Sequence, residues 1–386
     1  MIMIITDSMN RLWYHGGSRY NDKVKVLFIT RKFPPSTGGM ELFAFDLSNA
    51  LADKASVTLV KWGGQGRLRA VLVALPYLFC RAFWKLLTGK IDVVHAQDGV
   101  LAPLAYILSR LFRKPFVVVV HGLDVTYRNP LFRVIAPWAM RRASVVICIS
   151  QAAAQAAAAA GVPADKLRVI PLAVTDSLYG KSDRATLLRK LQLPADSKIL
   201  LTVGRLIKRK GVAWFIDAVL PGLVKQHPEL VYLVIGEGQE QATIQAAIDK
   251  HALGQQVPML GRAESGLYEA AYNGADVFVM PNITVPGDME GFGLVLLEAS
   301  ACALPVVAAD TEGIQEAVSD GQNGVLVSVG DAAAFSQAID RFLRDQAYAR
   351  QFGKQSRKFT LQTYQWDALA DRYLELYTAI LKRRKA

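Results

Sequence analysis

Apolar residues in this chain come in short dense runs, and the stretches between them carry helical patterning. Residues 24–30 (VKVLFIT) have the length and composition of a buried strand. The next segment, 31–39, is punctuated by Pro34, Pro35, Gly38 and Gly39 and predicts a loop. Residues 40–51 predict a helix, and further strands are expected at 55–61, 93–96, 115–120 and 144–149. The alternation pauses at 172–181 and restarts at 198–203 (KILLTV), with later strands expected at 231–235, 275–280, 304–308 and 324–327. Strands that alternate with helices predict parallel sheets covered on both faces. Two such series predict an α/β chain of two doubly wound domains facing a cleft, with ligands outside the carboxyl ends of the strands. Residues 1–22 read as a weakly structured lead-in. A last helix at about 366–381 places Leu369, Tyr373, Leu376, Tyr377 and Ile380 at helical spacing.

Composition fits that picture. The chain has 386 residues, 52% hydrophobic and 20% charged, which suits two domains with a large core and excludes disorder. Cys80, Cys148 and Cys302 are scattered, without a disulfide framework or metal-ligand spacing, as in a reducing cytoplasm. Asp7 interrupts the apolar start, so no signal peptide is expected. No apolar run is long enough to predict a membrane span.

Charge is distributed unevenly. The formal net charge is +12; residues 1–176 hold 22 Lys and Arg against 10 Asp and Glu, while 177–386 hold 23 of each. A basic first half suits nucleic acid, an anionic membrane or an anionic substrate. No nucleic-acid motif is present, so nucleic acid is not an expected partner. Residues 67–87 are apolar and aromatic with Arg67, Arg69, Arg81 and Lys85 among them. They predict either an interfacial membrane helix or a core helix with solvated cations, and Phe83 with Trp84 favour the membrane surface. Residues 382–385 add a basic tail to the same patch, or form a solvated end.

The candidate chemistry lies in loops. No GxGxxG follows a strand: the first strand leads to Gly38-Gly39, and Gly236-Glu237-Gly238 has Gln241 where the third glycine belongs, which excludes a dehydrogenase. Glu290-Gly291-Phe292-Gly293-Leu294 runs into an apolar helix that carries Glu298. The turn lets backbone N–H groups approach phosphate at a helix N-terminus, and both carboxylates can accept sugar or ribose hydroxyl protons. Gly38-Gly39 permits close approach of backbone to an anion. Arg205 and Lys210 sit in the loop after the strand at 198–203, where fixed cations can bind a diphosphate; Lys208 and Arg209 leave open a merely solvated basic loop. His121 ends the strand at 115–120 and can reach a cleft, or be a satisfied loop histidine; His95 has the same ambiguity. His15, His227 and His251 are expected at the surface or in the lead-in. Asp288-Met289-Glu290 has the spacing of a metal–diphosphate site, but no second acidic cluster supports it, so no metal and no cofactor are expected.

In order and spacing these motifs resemble the GT4 family of retaining, two-domain (GT-B) glycosyltransferases, over about residues 23–382. The most specific stretch is 281–330, with Glu290 and Glu298, Glu316-Ala317-Val318-Ser319-Asp320-Gly321 and Asn323-Gly324. The Asp-x-Glu-Gly-Phe-Gly form at 288–293 is similar to the subset that includes bacterial phosphatidylinositol mannoside and related lipid-linked sugar mannosyltransferases. The resemblance implies that Gly38 and Gly39 approach the donor diphosphate, His121 lies near the sugar's reaction centre, and Arg205 and Lys210 clamp the diphosphate. It implies that Glu290 holds donor sugar hydroxyls, that Phe292, Gly293 and Leu294 face donor oxygens with their backbone, and that Glu298 binds ribose. It further implies retention by front-face attack, with the departing phosphate taking the acceptor's proton. Two departures bear on specificity: Pro171-Leu172-Ala173-Val174 stands where the family often has Asn-Gly, and Glu312-Gly313 where it has Gly-Gly.

The expected organisation is a first, acceptor- and membrane-side domain at 1–176, a nucleotide-sugar domain at 177–363, and a helix at 364–386 packing back on the first. The expected activity is transfer of a hexose, mannose or glucose, from a GDP- or UDP-linked donor to a lipid-linked, lipopolysaccharide or polysaccharide acceptor. The enzyme is expected in the cytoplasm, peripheral on the inner membrane. The alternatives are a soluble transferase acting on a small sugar or metabolite, and a non-catalytic membrane-associated binding protein on the same scaffold.

Overall fold

The computed structural model describes residues 23–36, 38–63, 68–126 and 130–385, so the expected lead-in at 1–22 lies outside the described residues. The first sheet contains β1 (Lys25–Thr30), β2 (Ser56–Lys61), β3 (Val93–Ala96), β4 (Phe116–Val120), β5 (Val145–Cys148) and β6 (Leu167–Val169). Their order is β2-β1-β3-β4-β5-β6, all parallel. The helices of this unit are α1 (Gly39–Lys54), α2 (Leu68–Thr88), α3 (Ala102–Phe112), α4 (Pro130–Met140) and α5 (Gln151–Ala159). β4 shows why the strands form: FVVVV is buried along its whole length, and β-branched side chains suit a sheet covered on both faces. Ser150 accepts the Ala153 N–H at 3.0 Å and caps the alanine-rich α5.

The second sheet contains β7 (Lys198–Val203), β8 (Leu230–Ile235), β9 (Val277–Met280), β10 (Val306–Asp310) and β11 (Val325–Ser328), in the order β11-β10-β9-β7-β8, again all parallel. Around it run α6 (Arg184–Leu191), α7 (Val212–Ala218), α8 (Leu220–Gln226), α9 (Gln241–Lys250), α10 (Ser265–Gly274), α11 (Leu294–Ala301), α12 (Ala332–Arg344) and α13 (Gln346–Thr363). The molecule is therefore an α/β protein of two Rossmann-like domains. In both sheets the strand order reverses beside the first strand, between β1 and β3 and between β7 and β9. Those switch points open crevices at the carboxyl ends of the strands, where ligands bind in this architecture.

A last helix, α14 (Trp366–Lys385), packs against α1 of the first domain. Tyr373 and Tyr377 are fully buried there, and the Tyr377 hydroxyl donates to His95 Nδ1 at 2.8 Å. His95 stacks on Phe28 in this core, and burial holds its pKa at about 4, so it is a neutral core residue and does not reach the cleft.

Three expectations need correction. His227 is buried against Asp340, 2.7 Å from its Nε2, and not at the surface. The strands expected at 275–280 and 304–308 each begin two residues later, at Val277 and Val306. β6 was not anticipated; it is three residues long with Arg168 at its centre, too short and polar to register as an apolar run.

Candidate active site

The loop after β7 and the loop after β9 close on each other. A short 3₁₀ turn at Lys208–Lys210 points Arg209 and Lys210 inward and leaves Lys208 exposed. Lys210 Nζ lies 2.6 Å from Glu290 Oε2, and Asn282 Nδ2 donates to the same oxygen at 3.0 Å. Arg209 bridges, pairing its Nη1 with Glu290 Oε2 and its Nε with Asp288 Oδ1 at 3.1 Å. Burial pushes the Glu290 carboxyl up, but the charges of Lys210 and Arg209 and the donated hydrogen bonds outweigh it and hold it at about 2. Glu290 is thus a carboxylate with one oxygen saturated; among the described residues nothing donates to Oε1. The reading of Arg209 as a solvated loop residue is overturned, because its side chain is 4% exposed and holds two carboxylates. Asp288, part of the metal-like spacing, is engaged by this guanidinium. Arg205 is exposed and makes no ion pair among the described residues, yet its charge helps depress the Lys210 pKa, after burial and Arg209.

The backbone after Glu290 is set by a left-handed residue. Glu312 has φ 48°, a conformation that costs a non-glycine residue energy, and its carboxylate accepts the Glu290 N–H at 2.5 Å. This is the position where the resembling family has glycine, and the added hydrogen bond offsets part of the strain here. Gly293, with φ 88°, opens α11, and among the described residues no side chain caps the first N–H groups of that helix. Phe292 is buried edge-on to Tyr364, so only its backbone can face a ligand. One turn into α11, Glu298 Oε2 accepts from the hydroxyls of Tyr268 at 2.9 Å and Tyr272 at 3.0 Å. Across from it, burial first and then the charge of Glu298 push Asp46 of α1 up to about 6.

The first domain contributes His121 at the end of β4. Its Nε2 lies 3.0 Å from the Gln97 carbonyl, which can only accept, so Nε2 donates there, and among the described residues nothing bonds Nδ1. Asp124 accepts the N–H groups of His121 and Gly99 at 3.1 Å and 3.0 Å, tying the ends of β4 and β3 together. Gly38 and Gly39 open α1; any Cβ on Gly38 would meet the Glu41 carboxylate, and nothing lies within 4 Å of a Cβ on Gly39.

The two halves meet at glycine. A Cβ on Gly291 would collide with the His121 carbonyl, and one on Gly122 would lie 3.2 Å from Met289 Sδ. Gly291 thereby sets Glu290, with Lys210 and Arg209 on its carboxylate, against the end of β4 at His121, and Asp46 of α1 lies within reach of the charge of Glu298. Gly291→Ala is expected to force the loops apart and lower turnover by about tenfold or more, because displacement of reacting groups by about 1 Å is that costly. Steady-state kinetics beside a thermal melt would check this, with the fold retained.

Sequence reasoning missed Arg209, Asn282, Asp46 and the Tyr268–Tyr272 pair. A signal existed for Arg209: two carboxylates spaced as in Asp288-x-Glu290 need a forked cation when they are buried together.

Known proteins resemble this chain along most of its length. Residues 183–359 match the family model described as glycosyl transferases group 1, and residues 37–178 match glycosyltransferase family 4. The chain is 30% identical to the GDP-mannose-dependent alpha-(1-6)-phosphatidylinositol monomannoside mannosyltransferase of Mycolicibacterium smegmatis, over 94% of this chain and 100% of that protein. It is 23% identical to the N-acetyl-alpha-D-glucosaminyl L-malate synthase of Bacillus anthracis over 77% of each. The Anabaena protein HepE, solved in complex with UDP and glucose, shares the fold at a TM-score of 0.75 and 23% identity, over 92% of this chain and 100% of HepE.

Proposed function

The chain belongs to glycosyltransferase family 4, and from that premise we propose that it moves a hexose, with mannose favoured over glucose, from a nucleotide-diphosphate sugar to a lipid-linked or glycan acceptor at the cytoplasmic membrane face. It is a transferase of the two-domain GT-B type that uses a nucleotide sugar. The non-catalytic reading of the scaffold is set aside by that membership.

The observation that carries the reading is the cation–carboxylate cluster of Lys210, Arg209 and Glu290 at the switch point of the second sheet, set across Gly291 from His121 at the carboxyl end of β4. Glu290 Oε1 would accept a donor sugar hydroxyl. Arg205 and Lys210 would bind the diphosphate and stabilise the charge that develops as it leaves. The N–H groups at Gly293 and Leu294 would meet donor oxygens at the helix N-terminus. Glu298, oriented by Tyr268 and Tyr272, would hold the ribose, and Gly38 and Gly39 would leave room for the diphosphate. His121 would border the transferred sugar. With retention of configuration the departing phosphate takes the acceptor's proton, and protein cations supply the electrostatic stabilisation, so we read the reaction as independent of metal and cofactor. The Mycolicibacterium relative supports GDP-mannose and a lipid acceptor; the Bacillus relative supports the second reading, a small soluble acceptor.

A thermal-shift screen against GDP-mannose, UDP-glucose and ADP-glucose tests the donor. A donor that binds only the folded state raises the midpoint, by about 2.7 kcal/mol of stability at a hundredfold excess over Kd. GDP-mannose is expected to give the largest shift, and Glu298→Gln to need about tenfold more donor for the same shift. A shift with UDP-glucose alone would replace the donor base, and no shift with any donor would overturn the site.

A further inference from the structure

The helices α2, α3 and α4 form one continuous layer on the first domain, each touching the next. None of them contains an Asp or a Glu. The opposite layer of the same domain contrasts with this: α1 carries Glu41, Asp46 and Asp53, and α14 carries Asp367, Asp371 and Glu375. The inner side of α2 is satisfied, with Ala74, Leu78, Ala82 and Leu86 buried at a spacing of four. Its outer side is nonetheless apolar. Trp84 is 62% exposed and Leu87 59%, and they are joined by Ile107 and Leu111 on α3 and by Val134 and Trp138 on α4. Among them stand the exposed cations Arg81, Lys85, Arg110, Arg113, Arg133 and Arg142. The Arg142 guanidinium lies over the Trp138 ring, 4.1 Å from its centroid.

We propose that this three-helix face is a docking surface for a lipid bilayer rich in anionic headgroups. Charge complementarity selects the occupant. Indole rings with an apolar body and a polar edge suit the headgroup boundary, and the cations beside them attract anionic lipid. A second copy of this chain on the same face would set these cations against themselves, since a two-fold interface is self-complementary. The contact is peripheral, because no helix among the described residues is long and apolar enough to cross a membrane. Because α2, α3 and α4 follow β2, β3 and β4, their first turns border the carboxyl ends of the strands. The exposed side chains themselves stand in the last turns of α2 and α3, from Arg81 to Leu87 and from Ile107 to Arg113, so a lipid-held acceptor would run along these helices to reach the cleft. The inference rests on the proposed function for its purpose and on the surface alone for its existence.

Flotation of the full chain with phosphatidylcholine vesicles, with and without about one third phosphatidylglycerol, tests it. Binding is expected only with the anionic lipid and is expected to weaken as salt rises. The double variant Arg81→Glu, Lys85→Glu should lower partitioning by about tenfold or more. Brominated lipid should quench tryptophan fluorescence in the native chain and far less in Trp84→Phe, Trp138→Phe. Slow hydrolysis of GDP-mannose in solution should be unchanged in all these variants. Equal binding by native and charge-reversed chains would overturn the proposal. So would a native dimer that Trp84→Glu converts to monomer, which would assign the face to a second copy. Loss of vesicle binding in the variants of a chain that hydrolyses no donor would uphold the surface and sink the transferase reading instead.

Discussion

Lys210→Met is expected to lower kcat by about 10²–10³-fold, the usual cost of removing one preorganised donor from developing charge. Donor KM should change less, by about tenfold at most, if the ammonium acts mainly on the departing diphosphate. The fold should survive. Glu290 keeps Arg209 and Asn282 on Oε2, so the buried carboxylate is still compensated. The ammonium is also a costly group to hold there: burial lowers its pKa, Glu290 opposes that, and Arg209 and Arg205 add to the lowering. A protein places a cation in such surroundings when incoming negative charge will complete its neutralisation. Single-turnover kinetics with GDP-mannose would measure the effect, and a rate within about threefold of the native one would remove Lys210 from the reaction.

Arg209→Met should do more damage, and of a different kind. Its guanidinium holds Asp288 and Glu290 together while itself 4% exposed. Deleting one partner of a buried charge network costs about 3–5 kcal/mol, and the lower end applies here because Asp288 is partly in water. Arg209→Lys should recover only part, since an ammonium lacks the fork that spans two carboxylates. The loss should depend on pH. Glu290 is held at about 2 in the fold against an ordinary 4.5. A depressed carboxyl contributes stability that is present above the ordinary value and fades as pH falls from there through the folded one. The stability gap between native chain and variant should thus be full at neutral pH and narrow below about 4.5. Urea melts at both pH values would show it; a gap that stays constant, or widens in acid, would mean that Arg209 acts by packing alone.

Most of the fold was legible because its strands are short, apolar and buried on both faces, and runs such as FVVVV admit few other readings. β6 escaped because three half-buried residues around Arg168 make no run. The acidic turn and the basic loop were legible as chemistry, but which loop cations face inward was not. Lys208, Arg209 and Lys210 are equivalent as sequence, and only the 3₁₀ turn separates the solvated one from the two that hold Glu290. His227 stands among polar neighbours and looks exposed until Asp340, 113 positions on, arrives to cover it. Residues 67–87 suited either a core helix or an interfacial one; the four-residue repeat from Ala74 to Leu86 faces the core, while Trp84 and Leu87 are exposed.

The hydrogen bond between Tyr377 and His95 joins positions 282 residues apart. The second sheet and all its helices are made between them. The core around Phe28 and His95 therefore stays open on one side while a complete domain is synthesised and can fold. Loop closure over so long an interval is slow compared with local pairing. The first domain to be translated is consequently the last to be finished, and during that interval its apolar α1 face, with Phe43 waiting for Trp366, is the surface most exposed to aggregation.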